Sequence, residues 1–170
     1  FNPIVDNLVR LSPCASIVVQ SSGVAEDWRP SRILVPTNGS KASKRAAEVA
    51  FGIAYHHHDQ VHILNVVEGK QGYSEMDIEG SLKERRLTFA HQTVEELKKL
   101  GESLDVNTFT EIEIGEEPDS VILKMASEND FNLIILGTDV RPGSDKLYLG
   151  PRVERILNNA SCPVIIVNSQ

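Results

Sequence analysis

The chain has 170 residues, enough for one domain with a complete core. Hydrophobic content is 41% but aromatic content only 5%, so the core must be aliphatic, which suits β-branched strands alternating with helices better than an aromatic-rich sandwich. A formal charge of −7 with no run of Lys or Arg argues against nucleic-acid partners, which need a basic patch, and no apolar run exceeds strand length, so nothing reads as a signal peptide or membrane span.

In chain order after the N-terminal segment, Arg32–Pro36 predicts a first strand. Thr37-Asn38-Gly39-Ser40 is a turn with Ser40 as N-cap, followed by a helix over about 41–55. Val61–Val67 is a second strand. The glycine-bearing loop of residues 68–77 then acts as a lid or as a mobile connection. A long helix over about 76–100 places Leu82, Phe89, Val94, Leu97 and Leu100 near one face and ends at Gly101 as a C′ glycine. A third strand, 107–114, is followed by a helix over 119–128 that Pro118 starts. A fourth strand spans 132–137, the last helix about 150–159, and a fifth strand 163–168. This β-α alternation specifies an α/β, doubly wound parallel sheet.

The first 22 residues repeat the end of that unit. Asn2-Pro3-Ile4-Val5-Asp6-Asn7-Leu8 matches Gly150-Pro151-Arg152-Val153-Glu154-Arg155-Ile156 at an offset of 148 residues. At the same offset Cys14 falls on Cys162, Ile17 on Ile165 and Val19 on Val167. The repeat predicts that residues 1–22 are the tail of a preceding copy, with residues 23–31 a linker to the unit at 32–170. Its apolar strand, Ile17-Val18-Val19, needs a sheet edge to pair with, and the fifth strand offers one.

Residues 32–168 resemble a universal stress protein domain. The match is carried by Ile33–Ser40, by Val61–Val67, by Asn132–Thr138, and by Leu149-Gly150 through Ser161-Cys162-Pro163-Val164. The resemblance implies a Rossmann-like, α-hydrolase-type fold with a five-stranded parallel sheet in the order 3-2-1-4-5. It implies dimers or tandem domains joined through the fifth strand. In the nucleotide-binding branch it implies ATP or AMP at the ends of the first and fourth strands. Mapped onto this chain, the candidate nucleotide-binding residues are Pro36, Thr37, Asn38, Val66, Gly137, Gly150 and Arg152.

The family signature is Gly, two residues, Gly, nine residues, Gly, then Ser or Thr. Gly137 and Gly150 keep the spacing, but Val140 stands at the second glycine and Pro151 at the hydroxyl position. A β-branched residue resists the backbone geometry that lets a loop approach phosphate. Proline removes a hydroxyl and an N–H while remaining comfortable at a helix start. Asn38 also replaces the usual Asp. The site therefore reads as degenerate: no cofactor is expected, with ATP or AMP weakened by Val140 and Pro151. Arg141, Lys146 and Arg152 either restore some anion affinity or are ordinary solvated loop charge.

Other features read as structure. His56-His57-His58 suits a helix C-terminus better than a metal site. Cys14 and Cys162, too few for a disulfide scaffold, read as equivalent buried thiols of a cytosolic protein. Glu111 and Glu113 alternate with apolar residues as on a polar strand face, and no nucleophile–base arrangement stands out. The expectation is a non-enzymatic regulatory module in the cytoplasm or at the cytosolic face of a membrane. It would be part of a larger transporter of the cation/proton antiporter type, and would act by homodimer or tandem pairing through the fifth strand. The alternative is a stand-alone soluble stress protein that binds ATP or AMP.

Overall fold

Three aliphatic runs, β2 (Arg32–Pro36), β5 (Leu133–Thr138) and β6 (Val164–Asn168), lie at the centre of the sheet and are buried on both faces. Parallel strands covered by helices on both sides have no room for the polar alternation of a solvent-facing sheet. The computed structural model describes residues 3–12, 14–19, 27–69, 78–139 and 149–168. With β1 (Ser16–Val18), β3 (Gln60–Glu68) and β4 (Asn107–Gly115), the strands form one six-stranded sheet in the order β1-β6-β5-β2-β3-β4. The five strands of the main unit run parallel in the expected order, and β1 adds antiparallel to β6. The sheet therefore has six strands rather than five, because the N-terminal segment closes the β6 edge.

Helices α2 (Lys41–His57) and α3 (Ile78–Ser103) cover one face, over Ile33, Val35, Val61, Ile63, Leu133, Ile135, Ile165 and Val167. Helices α4 (Pro118–Glu128) and α5 (Pro151–Asn159) cover the other, with Val9 of α1 (Pro3–Leu11) joining Leu34, Ile134 and Ile166 there. Each fully buried aliphatic side chain contributes about 1.5–3 kcal/mol. Arg155, midway along α5, ties that helix to the N-terminal end of α4: its Nη1 lies 2.8 Å from Asp119 Oδ2, off the hydrogen-bonding direction, and donates to Glu117 Oε2 at 3.3 Å.

Small residues set the spacing on the α2 face. Ala42, Ala46, Ala47, Ala50 and Ala54 are buried against the sheet. Gly137, inside β5, faces the first turn of α2, and a Cβ there would overlap the Ala42 carbonyl. Gly101 works the same way. It lies within α3 rather than terminating it, because a Cβ would overlap Thr108 Oγ1 and come within 2.8 Å of the Phe51 ring. The left-handed conformation after this helix falls to Asp105, at φ 58°. The apolar face of α3 is also shorter than its spacing predicts. Val94 and Leu97 are buried, whereas Leu82, Phe89 and Leu100 are exposed. A helix of 26 residues is about 39 Å long, and strands of 9 residues about 30 Å, so α3 overhangs the sheet.

The β1–β6 pairing has internal symmetry. Ser16 opposes Ile166, Ile17 opposes Ile165 and Val18 opposes Val164. Since Ile17 and Ile165 are equivalent in the repeat, the pairing is isologous about that point, as across a two-fold axis. In the helices, Val9 and its equivalent Leu157 are both buried, and Arg10 Nη2 donates to Glu154 Oε1 at 2.8 Å. Leu8, Ile17 and Val19 are 66%, 60% and 50% exposed, whereas their equivalents Ile156, Ile165 and Val167 are 3%, 5% and 3% exposed.

Within the linker, residues 27–31 are held on the domain. Trp28 Nε1 donates to the Asn132 carbonyl at 3.2 Å, and Asn132 Oδ1 accepts from the N–H groups of Ser31 and Arg32. Cys14 is exposed, contrary to its reading as a buried thiol, whereas Cys162 is half-buried and burial pushes its thiol up to about 11. His56 and His57 close α2, His58 caps it at φ 56°, and no group of His, Cys, Asp or Glu among the described residues is placed to hold a metal. On β4, desolvation and the neighbouring Glu113 raise the Glu111 carboxyl above its ordinary value.

The close approach at Gly137 predicts that Gly137→Ala destabilises the fold by about 2–3 kcal/mol, because backbone must move. Gly52→Ala, in α2 with open space around it, should be neutral or stabilising by up to about 1 kcal/mol. Urea unfolding of both variants checks the contrast. His62 gives a pH prediction. Its ring stacks on Phe109 at 4.7 Å and meets Phe131 edge-on at 4.8 Å, and Nε2 is buried without a partner. Burial first, then the Arg32 charge, hold its pKa below 6.5. The unfolded chain thus takes up this proton first, so the contribution of neutral His62 is complete above pH 6.5 and is lost as pH falls toward the lowered value. Wild type should lose stability relative to His62→Phe as pH falls through that interval, measured by denaturant titration at successive pH values.

Candidate functional site

The chain connection reverses direction between β2 and β5, and the carboxyl ends of strands beside such a reversal form the usual ligand crevice of an open α/β sheet. Four of the candidate residues converge there by their backbone positions: Pro36 ends β2, Thr37 and Asn38 follow it, and Gly137 is near the end of β5. Gly150 caps α5 with φ −70°, and Arg152 lies in the first turn of that helix. Val66 lies near the end of β3.

Local hydrogen bonds fix the turn after β2. The Thr37 N–H donates to the Leu64 carbonyl at 2.8 Å. The Thr37 hydroxyl accepts from the Gly39 N–H at 3.2 Å and meets the Ser43 hydroxyl at 3.0 Å. Asn38 Oδ1 accepts from the Ser40 N–H at 3.1 Å, and Ser40 Oγ accepts from the Ser43 N–H at 3.2 Å. Gly39 sits at φ +77°, a conformation that favours glycine, and a Cβ there would come within 2.6 Å of the Phe89 ring. Thr37 is buried and engaged in this turn, which leaves the Asn38 amide Nδ2 as the polar group facing outward. Gly137 is occupied with α2, so the packing of that helix accounts for its glycine.

The open cleft next to this turn, about 470 Å³, lies between the β3 end and the overhanging part of α3. Asn38 and Val66 line it, together with Asn65, Glu68 and Arg85, which the sequence does not mark as site residues, and Phe89, which its spacing assigns to the apolar face of α3. The missed signal was the spacing of Leu82, Arg85, Arg86 and Phe89, which share one helix face. Arg152 is the partner of Glu68: Nη2 lies 2.6 Å from Oε1, in a pair that spans the crevice from the β3 end to the α5 start. Arg86 Nη1 donates to the Glu68 carbonyl at 3.2 Å. Arg85 makes no hydrogen bond or ion pair among the described residues. Three arginines and one glutamate thus gather at this end of an acidic chain, with Arg152 already neutralised. Val140, Arg141, Lys146 and most of the 68–77 loop lie outside the described residues.

The family model for universal stress proteins matches residues 30–168. A universal stress protein of Methanocaldococcus jannaschii is 31% identical over 139 residues, spanning 80% of this chain and 81% of the relative. Among solved structures, a universal stress protein from Archaeoglobus fulgidus superposes with a TM-score of 0.71 at 17% identity, covering 99% of this chain, the N-terminal segment included, and 56% of that one. A family member from Arabidopsis thaliana with AMP bound superposes at 0.61 and 17% identity, covering 82% and 92% of the two chains. A universal stress protein in complex with cAMP superposes at 0.62 and 15% identity, covering 84% and 100%. Sequence match and fold agree with the doubly wound sheet and its crevice, and the chain belongs to the universal stress protein family.

Proposed function

We propose that this chain is a non-catalytic regulatory module, the later copy of a tandem pair of universal-stress-type units, which acts by association through β6 and carries a degenerate adenine-nucleotide crevice. The observation that carries the reading is the isologous β1–β6 register centred on Ile17 and Ile165. Exposure in the N-terminal segment supports it. Ile165 and Val167 belong to the core that α2 covers, so Ile17 and Val19 occupy positions that the α2 of a preceding copy would cover. The longer A. fulgidus chain, matched over its length by 56%, is consistent with a paired arrangement.

Degeneracy rests on Val140 and Pro151, and on the capture of Arg152 by Glu68. We place the pair in the cytosolic part of a larger transporter of the cation/proton antiporter type. None of the described helices is long and apolar enough to cross a membrane, so spans would belong to another part of that polypeptide. A second reading, a stand-alone universal stress protein binding ATP or AMP, is favoured by the relatives that hold AMP and cAMP. The full-length gene product separates the two: membrane spans ahead of the pair support the first, and soluble units alone support the second.

The crevice reading is tested by titration calorimetry with ATP and magnesium. Wild type should bind more weakly than about 100 µM. Restoring the signature with Val140→Gly and Pro151→Ser should tighten binding by at least about tenfold, worth about 1.4 kcal/mol. Micromolar binding by wild type would overturn degeneracy.

A further inference from the structure

The overhanging start of α3 turns Leu82, Arg85, Arg86 and Phe89 toward the cleft rather than the core. Leu82 and Phe89 are 48% and 53% exposed, an apolar pair that a helix with no other use for this face would not need there. Phe89 stands against Gly39, which joins the helix to the turn after β2. Asn65, on β3, lines the same cleft at 5% exposure, and its side chain makes no hydrogen bond among the described residues. Its amide is open to the cleft rather than sealed from solvent, and so is available to a ligand. Arg85 is equally without a partner among the described residues, whereas Arg86 is held by the Glu68 carbonyl.

We infer that the cleft has an anion subsite on α3, made by Arg85 beside Arg86, with Phe89 as the face for a planar ring and Asn65 as its hydrogen-bonding group. The ligand class is a flat heterocycle carrying one anionic group. A cavity of about 470 Å³ falls within the usual range for such molecules. The inference rests on the nucleotide-type crevice of the proposed function and changes where its anion is held: on α3, not on the glycine-loop side. Arginine suits this role because its planar guanidinium pairs with phosphate and stacks on ring faces. Phosphates beyond the first find no donor at Pro151, which has no N–H, so they add nothing.

The test is calorimetry on the full chain with AMP, ATP and adenosine at millimolar concentration, for wild type, Arg85→Ala, Phe89→Ala and Arg152→Ala, with circular dichroism as the folding check. AMP and ATP should bind within threefold of each other. Arg85→Ala should weaken AMP at least fivefold and leave adenosine unchanged. Phe89→Ala should weaken AMP and adenosine together. Arg152→Ala should weaken AMP less than Arg85→Ala does. Loss of AMP binding in Arg152→Ala with none in Arg85→Ala would overturn the inference. So would failure of AMP and adenosine to bind at all, a result that leaves the degenerate-site reading standing. ATP binding tenfold or more tighter than AMP would overturn the inference, and at micromolar strength it would overturn degeneracy as well.

Discussion

The edge of β6 is the constraint on which the rest depends. All five residues of this strand are buried, yet it would end the parallel sheet and leave a row of unpaired backbone groups beside an aliphatic surface. Such an edge recruits other strands unless it is covered. Here β1 covers it, and the strand that does so repeats the sequence of the strand it covers. With that pairing come the burial of Val9 and the Arg10–Glu154 ion pair, which ties α1 to α5, the helix that starts with Gly150 as its cap and carries Arg152 in its first turn. The β6 edge and the crevice are therefore adjacent, joined by one short helix.

The second constraint is close packing by small residues. Gly137 and the alanines of α2 bring the helix start down onto β5, which fixes the turn from Thr37 to Ser40 through hydroxyl and Asx hydrogen bonds. A glycine at the end of β5 reads in sequence as room for phosphate. In the fold it is room for a helix. The family glycine at the end of β5 thus serves packing, and Pro151 serves helix initiation, since it starts α5 well while offering no N–H.

Much of this was legible. Aliphatic runs fixed the strands within a residue or two, and the alternation with helices set the parallel order, because buried strands and right-handed crossovers leave few other topologies. The offset of 148 residues identified the N-terminal segment with α5 and β6 before its pairing was known. What escaped depends on contacts between distant segments. Gly101 read as a helix end because local signals cannot reveal Thr108 and Phe51 against it. Leu82 and Phe89 read as core because periodicity gives a face but not the length of sheet beneath it. Cys14 read as buried because its equivalence to Cys162 carries no information about what covers it. Arg152 looked like a free cation because Glu68 lies 84 residues away in sequence.

Amide hydrogen exchange followed by NMR tests the central claim most directly. If β1 closes the β6 edge in isologous register, amides within Ser16–Val18 should be slowed by roughly a hundredfold or more relative to the free chain, and Ile17→Asp should release protection in both β1 and β6. Exchange of residues 16–18 at free-chain rates, with β6 unaffected by Ile17→Asp, would contradict the account.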